Sequence, residues 1–506
     1  MNSYNFNAVI VVALVFMLSI PRGAVYGSTE TETGEGNRQF NVVVILVDDL
    51  GYSDIGAYNA QTFYETPNID RLAAQGVQFL DGYAANPVCS PSRYALLTGK
   101  HPTSVGATDW FHVRGWPHRV ERFRPAESIE YLPQSETTLA EALKSLGYTT
   151  AFLGKWHLGE DEGHWPEHHG FDINIGGHEM GHPAGGYFSP YENPRLPDGP
   201  AGEYLTDRLS SEAVRLLSRF AEAGSPFLLY LSFYTVHTPL QAPVATVERY
   251  RTKAGQNAET AEFAEEEQVW PTEEERLVRV KQSHATYAAM IDHLDQGVGR
   301  VLESIQTSGL KQNTIVVFTS DNGGLSTAEG SPTSNLPLRG GKGWLYEGGV
   351  RVPFIIKAPG SPQNGRAIRT PVVSMDLMPT ILDFVGATPH ETDGISLKPL
   401  LDGAREGAER PLFFHYPHYS NQGGFPGAAI RLGDWKMIER FEDGSVQLYH
   451  LGTDPGERAD VSVTYPEVVG QLREMLHGWY EETGARFLDP NPDRSEYGEP
   501  WRPVPR

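Results

Sequence analysis

Four short runs in this sequence are apolar almost from end to end and stop at ionisable side chains. Residues 42–47 (VVVILV) lead into Asp48-Asp49, and residues 149–153 into Gly154-Lys155-Trp156-His157. Residues 227–234 (FLLYLSFY) lead to His237, and 314–319 (TIVVFT) to Asp321-Asn322. Runs without polar alternation read as strands covered on both faces. Helical segments lie between them. Residues 68–75 are stopped by Gly76, 138–146 open with the capping-box spacing of Thr138 and Glu141, and 206–220 are amphipathic. A long helix is expected to open at Thr272 and Glu275, because Tyr287, Ile291, Leu294, Val298, Leu302 and Ile305 recur at helical spacing. The alternation predicts an α/β fold: a large, mostly parallel central sheet with helices on both faces. Such sheets bind ligands beyond the carboxyl ends of their strands, where all four ionisable groups fall.

Each group has a plain structural reading when taken alone. Asp48-Asp49 serves as a helix cap, His237 as a hydrogen-bonded loop residue, Asp321-Asn322-Gly323 as a turn and Lys155 as a solvated charge. Together they describe one chemistry. Asp48, Asp49, Asp321 and Asn322 offer only oxygen ligands, which suits a hard cation such as Ca2+. Arg93, Lys155 and Lys342 offset the carboxylates and clamp an anion, while His157 and His237 can move protons near neutral pH.

The 506 residues include a single cysteine, Cys89, which rules out a disulfide framework or a multi-cysteine metal centre. Cys89-Ser90-Pro91-Ser92-Arg93 reads as the start of a helix that Gly99 ends, so the thiol lies where backbone N–H groups favour an anion. A lone cysteine is either inert and buried or chemically special. Soft sulfur is a poor partner for calcium, which hints that Cys89 does not act as a thiol. A formal charge of −23, from 64 acidic and 41 basic residues, argues against a nucleic-acid partner.

These motifs resemble the formylglycine-dependent type I sulfatases of the alkaline phosphatase superfamily, which include arylsulfatases and N-acetylgalactosamine-6-sulfatases. Cys89-Ser90-Pro91-Ser92-Arg93, continued by Leu96-Leu97-Thr98-Gly99, resembles the C-x-P-x-R maturation signature. Residues 147–157 (GYTTAFLGKWH) resemble the second signature, and Asp48-Asp49-Leu50-Gly51 and residues 66–72 (TPNIDRL) also match. The resemblance spans roughly residues 40–460. It implies an alkaline phosphatase-like fold with a small C-terminal antiparallel sheet. It also implies one Ca2+ per chain, and oxidation of Cys89 to formylglycine by a formylglycine-generating or anaerobic sulfatase-maturating enzyme. By position, Asp48, Asp49, Asp321, Asn322 and the modified Cys89 would hold the ion. Arg93 would hold the hydrated aldehyde, and Lys155 and Lys342 the sulfate. His237, with Lys342, would protonate the departing sugar alcohol, and His157 would take the proton that releases sulfate. Two alternatives stay open: a phosphate or phosphonate ester hydrolase of the same superfamily, and a catalytically silent glycan-binding protein.

Substrate choice rests on other segments. Residues 110–124 mix aromatics with His112, Arg114 and further cations, as either a sugar-contacting or a solvated loop. His178 and His182 have the spacing of a helical metal pair, yet Gly176, Gly177, Gly181 and Pro183 oppose a helix, which favours sugar contact over zinc. Residues 185–207 are similar to exported bacterial sulfatases, implying galactose or N-acetylgalactosamine sulfates from algal polysaccharides or glycosaminoglycans. Residues 1–27 read as an export signal, with a membrane anchor as the rival. The protein is therefore expected to be periplasmic or secreted, without stable membrane insertion. Residues 28–38 read as a linker, 39–388 as the catalytic domain, and 389–506 as a C-terminal subdomain. That subdomain is expected to have strands at 412–415, 435–439 and 446–451 and a closing helix at 466–482.

Overall fold

The structure, a computed structural model, describes residues 39–112, 121–255, 261–270, 275–388, 390–404 and 409–503. The expected export signal and linker, and Arg114, lie outside the described residues.

The central sheet contains β1 (Asn41–Val47), β2 (Val77–Phe79), β3 (Thr149–Gly154), β4 (Ile173–Ile175), β5 (Phe227–Ser232), β6 (Thr314–Ser320), β7 (Phe354–Lys357) and β8 (Ala367–Ile368). Their order is β8-β2-β7-β6-β1-β5-β3-β4, and only β7 runs against its neighbours. The runs that begin at 42, 149, 227 and 314 are four adjacent parallel strands, with Val44 of β1 opposite Tyr230 of β5 and Val317 of β6. All seven residues of β1 are buried, because each face of the pleat has its own cover. Val43, Ile45 and Val47 pack with α1 (Pro67–Gln75), α4 (Leu205–Ala223) and α5 (Ala285–Thr307), through residues such as Ile69, Leu216 and Leu294. Val42, Val44 and Leu46 pack with α2 (Cys89–Thr98), α3 (Leu139–Ser145) and α6 (Leu377–Phe384), through Leu96, Leu143 and Ile381.

One helix boundary differs from the sequence expectation. Helix α5 starts at Ala285, where the His284 Nδ1 accepts the Tyr287 N–H at 3.2 Å. Of the expected start, Thr272 lies outside the described residues and Glu275 is not helical, while Leu277–Arg279 pair antiparallel with Phe263–Glu265. Tertiary contacts outweigh helical propensity there. Gln282 donates to Ser53 O at 3.0 Å and to Asp54 Oδ1 at 3.1 Å, tying the segment to the loop after β1.

The C-terminal region forms a four-stranded antiparallel sheet, β9 (Leu412–Tyr416), β10 (Gly427–Leu432), β11 (Trp435–Arg440) and β12 (Val446–His450), in that order, covered by α7 (Pro466–Thr483). Strand β10 was not foreseen. Its sequence, GAAIRL, is small and only briefly apolar, and burial of Ala428, Ala429 and Ile430 between the neighbouring layers holds it. A fully buried charged cluster lies beneath this sheet: Lys436 Nζ is 3.0 Å from Glu347 Oε1 and 2.9 Å from Glu457 Oε1. Among the described residues, no helix is long and apolar enough to cross a membrane.

Candidate active site

Cys89 is the first residue of α2, a helix buried along its whole length and ended by Gly99 in the left-handed conformation at φ 68°. Serines lock the turn before it. Ser92 Oγ donates to Asn86 O at 2.8 Å, and Ser90 Oγ accepts from the Phe111 N–H at 3.0 Å. The Cys89 Sγ lies 3.7 Å from Asp48 Oδ1, and single ligand atoms of Asp48, Cys89 and Asp321 all fall within 4.8 Å of one another. Burial pushes the thiol up to about 12, against the pull of Lys155 and Lys342. At neutral pH it is not a thiolate nucleophile.

The carboxyl ends of β1 and β6 deliver the acids. Asp48 receives Lys155 Nζ at 2.8 and 2.7 Å on its two oxygens. Asp321 Oδ2 receives Arg93 Nε at 2.9 Å, and Asp49 Oδ2 receives Lys342 Nζ at 2.9 Å. Arg93 also reaches Lys155 O at 2.9 Å and Ser232 Oγ at 2.7 Å, so one guanidinium joins α2 to β5, β6 and the end of β3. Burial raises Asp48 well above the ordinary carboxylate range despite Lys155, and Asp321 and Asp49 add to the effect. Burial also works against Asp321 and Asp49. Arg93 and Lys155 outweigh it for Asp321, and Lys342 and His237 for Asp49, so both are held below the usual range.

Asn322 Nδ2 donates to Asp49 Oδ1 at 2.8 Å, while its Oδ1 is buried and accepts no hydrogen bond. A buried carbonyl oxygen without a donor, beside three carboxylates, is what a hard cation uses. The donor set therefore fits a hard cation such as calcium. Asp49, at φ 61°, and His157, at φ 60°, both adopt left-handed backbone. For non-glycine residues this conformation costs about 1 kcal/mol or more, and surrounding structure must hold it.

The two histidines present defined nitrogens. His157 Nε2 faces Phe111 O at 3.2 Å, and a carbonyl can only accept, so Nε2 carries the hydrogen and the unpartnered Nδ1 holds the lone pair. By the same reasoning His237 Nδ1 donates to Thr238 O at 2.8 Å, leaving Nε2 3.8 Å from Asp49 Oδ2. Burial, then Lys155 and Arg93, hold His157 well below its ordinary value. Burial and Lys342 bring His237 to about 4. For Lys342, burial is overcome by Asp49, so its ammonium is held firmly. Gly181 packs flat on the His157 ring, where a Cβ would stand 2.5 Å from Cε1, so only glycine fits.

Four of these groups reach a cavity of about 550 Å3. Cys89, His157, His237 and Lys342 line it together with His112 and His182. His112 stacks parallel to His157 with ring centroids 6.0 Å apart, and its Nδ1 pairs with Glu160 at 2.7 Å. His178 does not line the cavity. Its ring lies edge-on to Trp165 and its Nδ1 is 3.3 Å from Glu179. Sequence reading missed Met180, Thr238, Glu329, Asn421 and Gln422, which complete the walls. The last two belong to the loop between β9 and β10, and a short polar stretch in a C-terminal loop carries no signal of which cavity it joins.

Comparison with known proteins gives a consistent picture. A family described as Sulfatase matches residues 40–387, and one described as N-sulphoglucosamine sulphohydrolase, C-terminal, matches residues 341–482. The chain is 29% identical to a "Sulfatase" of Formosa agariphila, over 89% of this chain and 90% of that protein. It is 31% identical to the N-acetylgalactosamine-6-sulfatase of Mus musculus, over 88% of this chain and 81% of the relative. The crystal structure of Ps i-CgsB in complex with k-i-k-neocarrahexaose superposes with a TM-score of 0.70 at 28% identity, covering 87% of this chain and 92% of that one.

Proposed function

This chain belongs to the sulfatase family and is a sulfuric ester hydrolase, and from that premise we propose that it removes sulfate from galactose or N-acetylgalactosamine units of algal polysaccharides or glycosaminoglycans. In this reading Cys89 is converted to formylglycine by a maturation enzyme, Ca2+ sits on Asp48, Asp49, Asp321 and Asn322, and residues 1–27 direct export. The observation that carries the reading is the buried network of Asp48, Asp49, Asp321, Arg93, Lys155 and Lys342 packed against Cys89, with Cys89 and Lys342 themselves lining the cavity. The relative named N-acetylgalactosamine-6-sulfatase and the neighbour in complex with k-i-k-neocarrahexaose support the sugar class.

When present, formylglycine and Ca2+ supply the oxygen nucleophile and the positive charge that sulfuryl transfer needs. The chain's own residues do the rest. Lys342, which lines the cavity, and Lys155, fixed behind it on Asp48, are the cations that hold the sulfate oxygens without reorganising. Arg93, anchored on Asp321 and Ser232, keeps the side chain at position 89 oriented. Lys342, kept charged by Asp49, stands with His237 on the side of the departing alcohol. His237, neutral in the empty site, takes up a proton on Nε2 as negative charge arriving with the substrate raises its affinity, and gives that proton to the departing alcohol. His157, neutral and with Nδ1 free, receives the proton that lets sulfate leave. The C-terminal subdomain, which we place over residues 389–506, contributes Asn421 and Gln422 to the cavity wall.

The test is the tryptic peptide mass around residue 89 after co-expression with a maturation enzyme, followed by turnover of sulfated galactose and N-acetylgalactosamine saccharides. Conversion lowers the residue mass by about 18 Da, and the converted protein should release sulfate. An unmodified Cys89, with a control substrate converted alongside, defeats the nucleophile assignment. Faster turnover of phosphate than of sulfate esters defeats the substrate class.

A further inference from the structure

Among the described residues one carboxylate lines the cavity, and it serves neither the cation site nor the sulfate. Glu329 lines the cavity with Lys342, His237 and His182 and faces all three electrostatically. Its placement is built. Oε1 accepts from Gln422 Nε2 at 2.6 Å and from Asn421 Nδ2 at 3.0 Å. Gln422 is itself buried and fixed. Its Oε1 takes the Ser420 hydroxyl at 2.6 Å, and its carbonyl takes Trp344 Nε1 at 3.0 Å and Thr327 Oγ1 at 2.5 Å. Among the described residues the other oxygen, Oε2, has only Thr238 Oγ1 at 3.4 Å, a long contact. Glu329 thus presents an anchored carboxylate with spare acceptor capacity to whatever fills the cavity.

A carboxylate in an anion-binding pocket weakens binding of the anion unless it does something else there. The remaining wall explains what. Trp110, Phe111, Met180 and Pro239 give apolar surface for a sugar ring, and Glu329, Thr238 and Asn421 give polar groups at its edge. Resting on the sulfatase reading, we propose that Glu329 is a specificity-determining residue: it accepts a hydroxyl hydrogen bond from the sugar that carries the scissile sulfate and rejects sugars with a second anionic group beside it. Discrimination of this kind is strong because a substituent that removes the donor also places charge against charge. The substrate class is accordingly a monosulfated, otherwise neutral sugar unit.

The experiment uses the full, matured enzyme. The value of kcat/KM is measured on N-acetylgalactosamine 6-sulfate, on its 4,6-disulfate and on 4-nitrophenyl sulfate, for wild type, Glu329→Gln and Glu329→Asp. Each enzyme's sugar rates are divided by its own 4-nitrophenyl sulfate rate, so folding and maturation cancel. The wild type should favour the monosulfate by at least about tenfold. Glu329→Gln should compress that preference about tenfold, whereas Glu329→Asp, which keeps the charge, should still reject the disulfate. An unchanged mono-to-disulfate ratio in Glu329→Gln overturns the proposal while the sulfatase reading stands. A matured wild type that hydrolyses none of the three sulfates overturns both.

Discussion

Lys155 places its ammonium 2.8 and 2.7 Å from the two oxygens of Asp48, and neither side chain reaches solvent. The pair cannot be halved cheaply. Without Lys155, Asp48 remains buried beside Asp321 and Asp49, which already raise it. Lys155→Ala should cost about 3 kcal/mol of unfolding free energy in chelator, the usual penalty for stranding a buried charge. It should also lower kcat/KM by at least about 100-fold, because the same ammonium holds the sulfate. Urea unfolding and steady-state kinetics check both parts. Unchanged stability would mean that Asp48 is neutral in the folded protein.

Asn322 Oδ1 is an acceptor with no donor, and that predicts metal dependence. Calcium at about 100 times its dissociation constant should stabilise the chain by about 2.7 kcal/mol, seen as a rise in Tm. Magnesium, which demands a stricter octahedron, should do much less. In Asn322→Ala the calcium-dependent rise should shrink by at least about half, since one ligand is gone. An equal rise in both proteins would move the ion elsewhere.

Position 89 permits a sharper chemical test. In Cys89→Ser a single hydroxyl stands at the start of α2, held by the same Arg93 and lysine frame. A seryl oxygen can take the sulfuryl group, but it has no second oxygen whose deprotonation expels sulfate. The variant should release one equivalent of alcohol and then stop, leaving a sulfated residue 89 visible by peptide mass. Continued turnover would remove the need for modification.

Much of this site was legible in the sequence because the strands that carry it are buried on both faces. Residues 42–47 and 314–319 are apolar for packing reasons, so the abrupt change at Asp48 and Asp321 marks the sheet edge. The cluster Asp48, Asp49, Cys89, Arg93, Lys155, Asp321, Asn322 and Lys342 does come together there. The misses have a common cause: information carried by distant contacts. Nothing near Thr272 announces that Gln282 will be recruited by Ser53 and Asp54, so periodicity extended α5 too far. Strand β10 reads as a weak GAAIRL, and its pairing with β9 and β11 supplies what its composition lacks. His178 and His182 share a glycine-rich stretch, but Trp165 packs against the first and the cavity takes the second.

The buried cluster under the small sheet sets a pH dependence separate from catalysis. Burial, with Glu347 adding to it, raises Glu457 from 4.5 to about 7, although Lys436 opposes the shift. Between those values the folded state keeps a proton that the unfolded chain has released. This contribution is therefore fully present below about pH 4.5 and is lost as pH rises through 7. Glu347 behaves oppositely: Lys436, Arg351 and Arg431 outweigh burial and bring it to about 2, so its contribution is present above 4.5 and lost only as pH falls toward 2. The cluster thus favours mildly acidic conditions, and unfolding midpoints should fall between about pH 5 and 7. In Glu457→Gln the single amide oxygen can keep one of the two contacts Glu457 now makes, to the Glu347 N–H at 2.6 Å or to Lys436 at 2.9 Å, and Lys436 keeps Glu347. That variant should start from a lower stability at pH 5 but lose most of the decline. Urea midpoints at pH 5, 6, 7 and 8 decide it, and identical slopes in the two proteins would mean that Glu457 is ionised throughout.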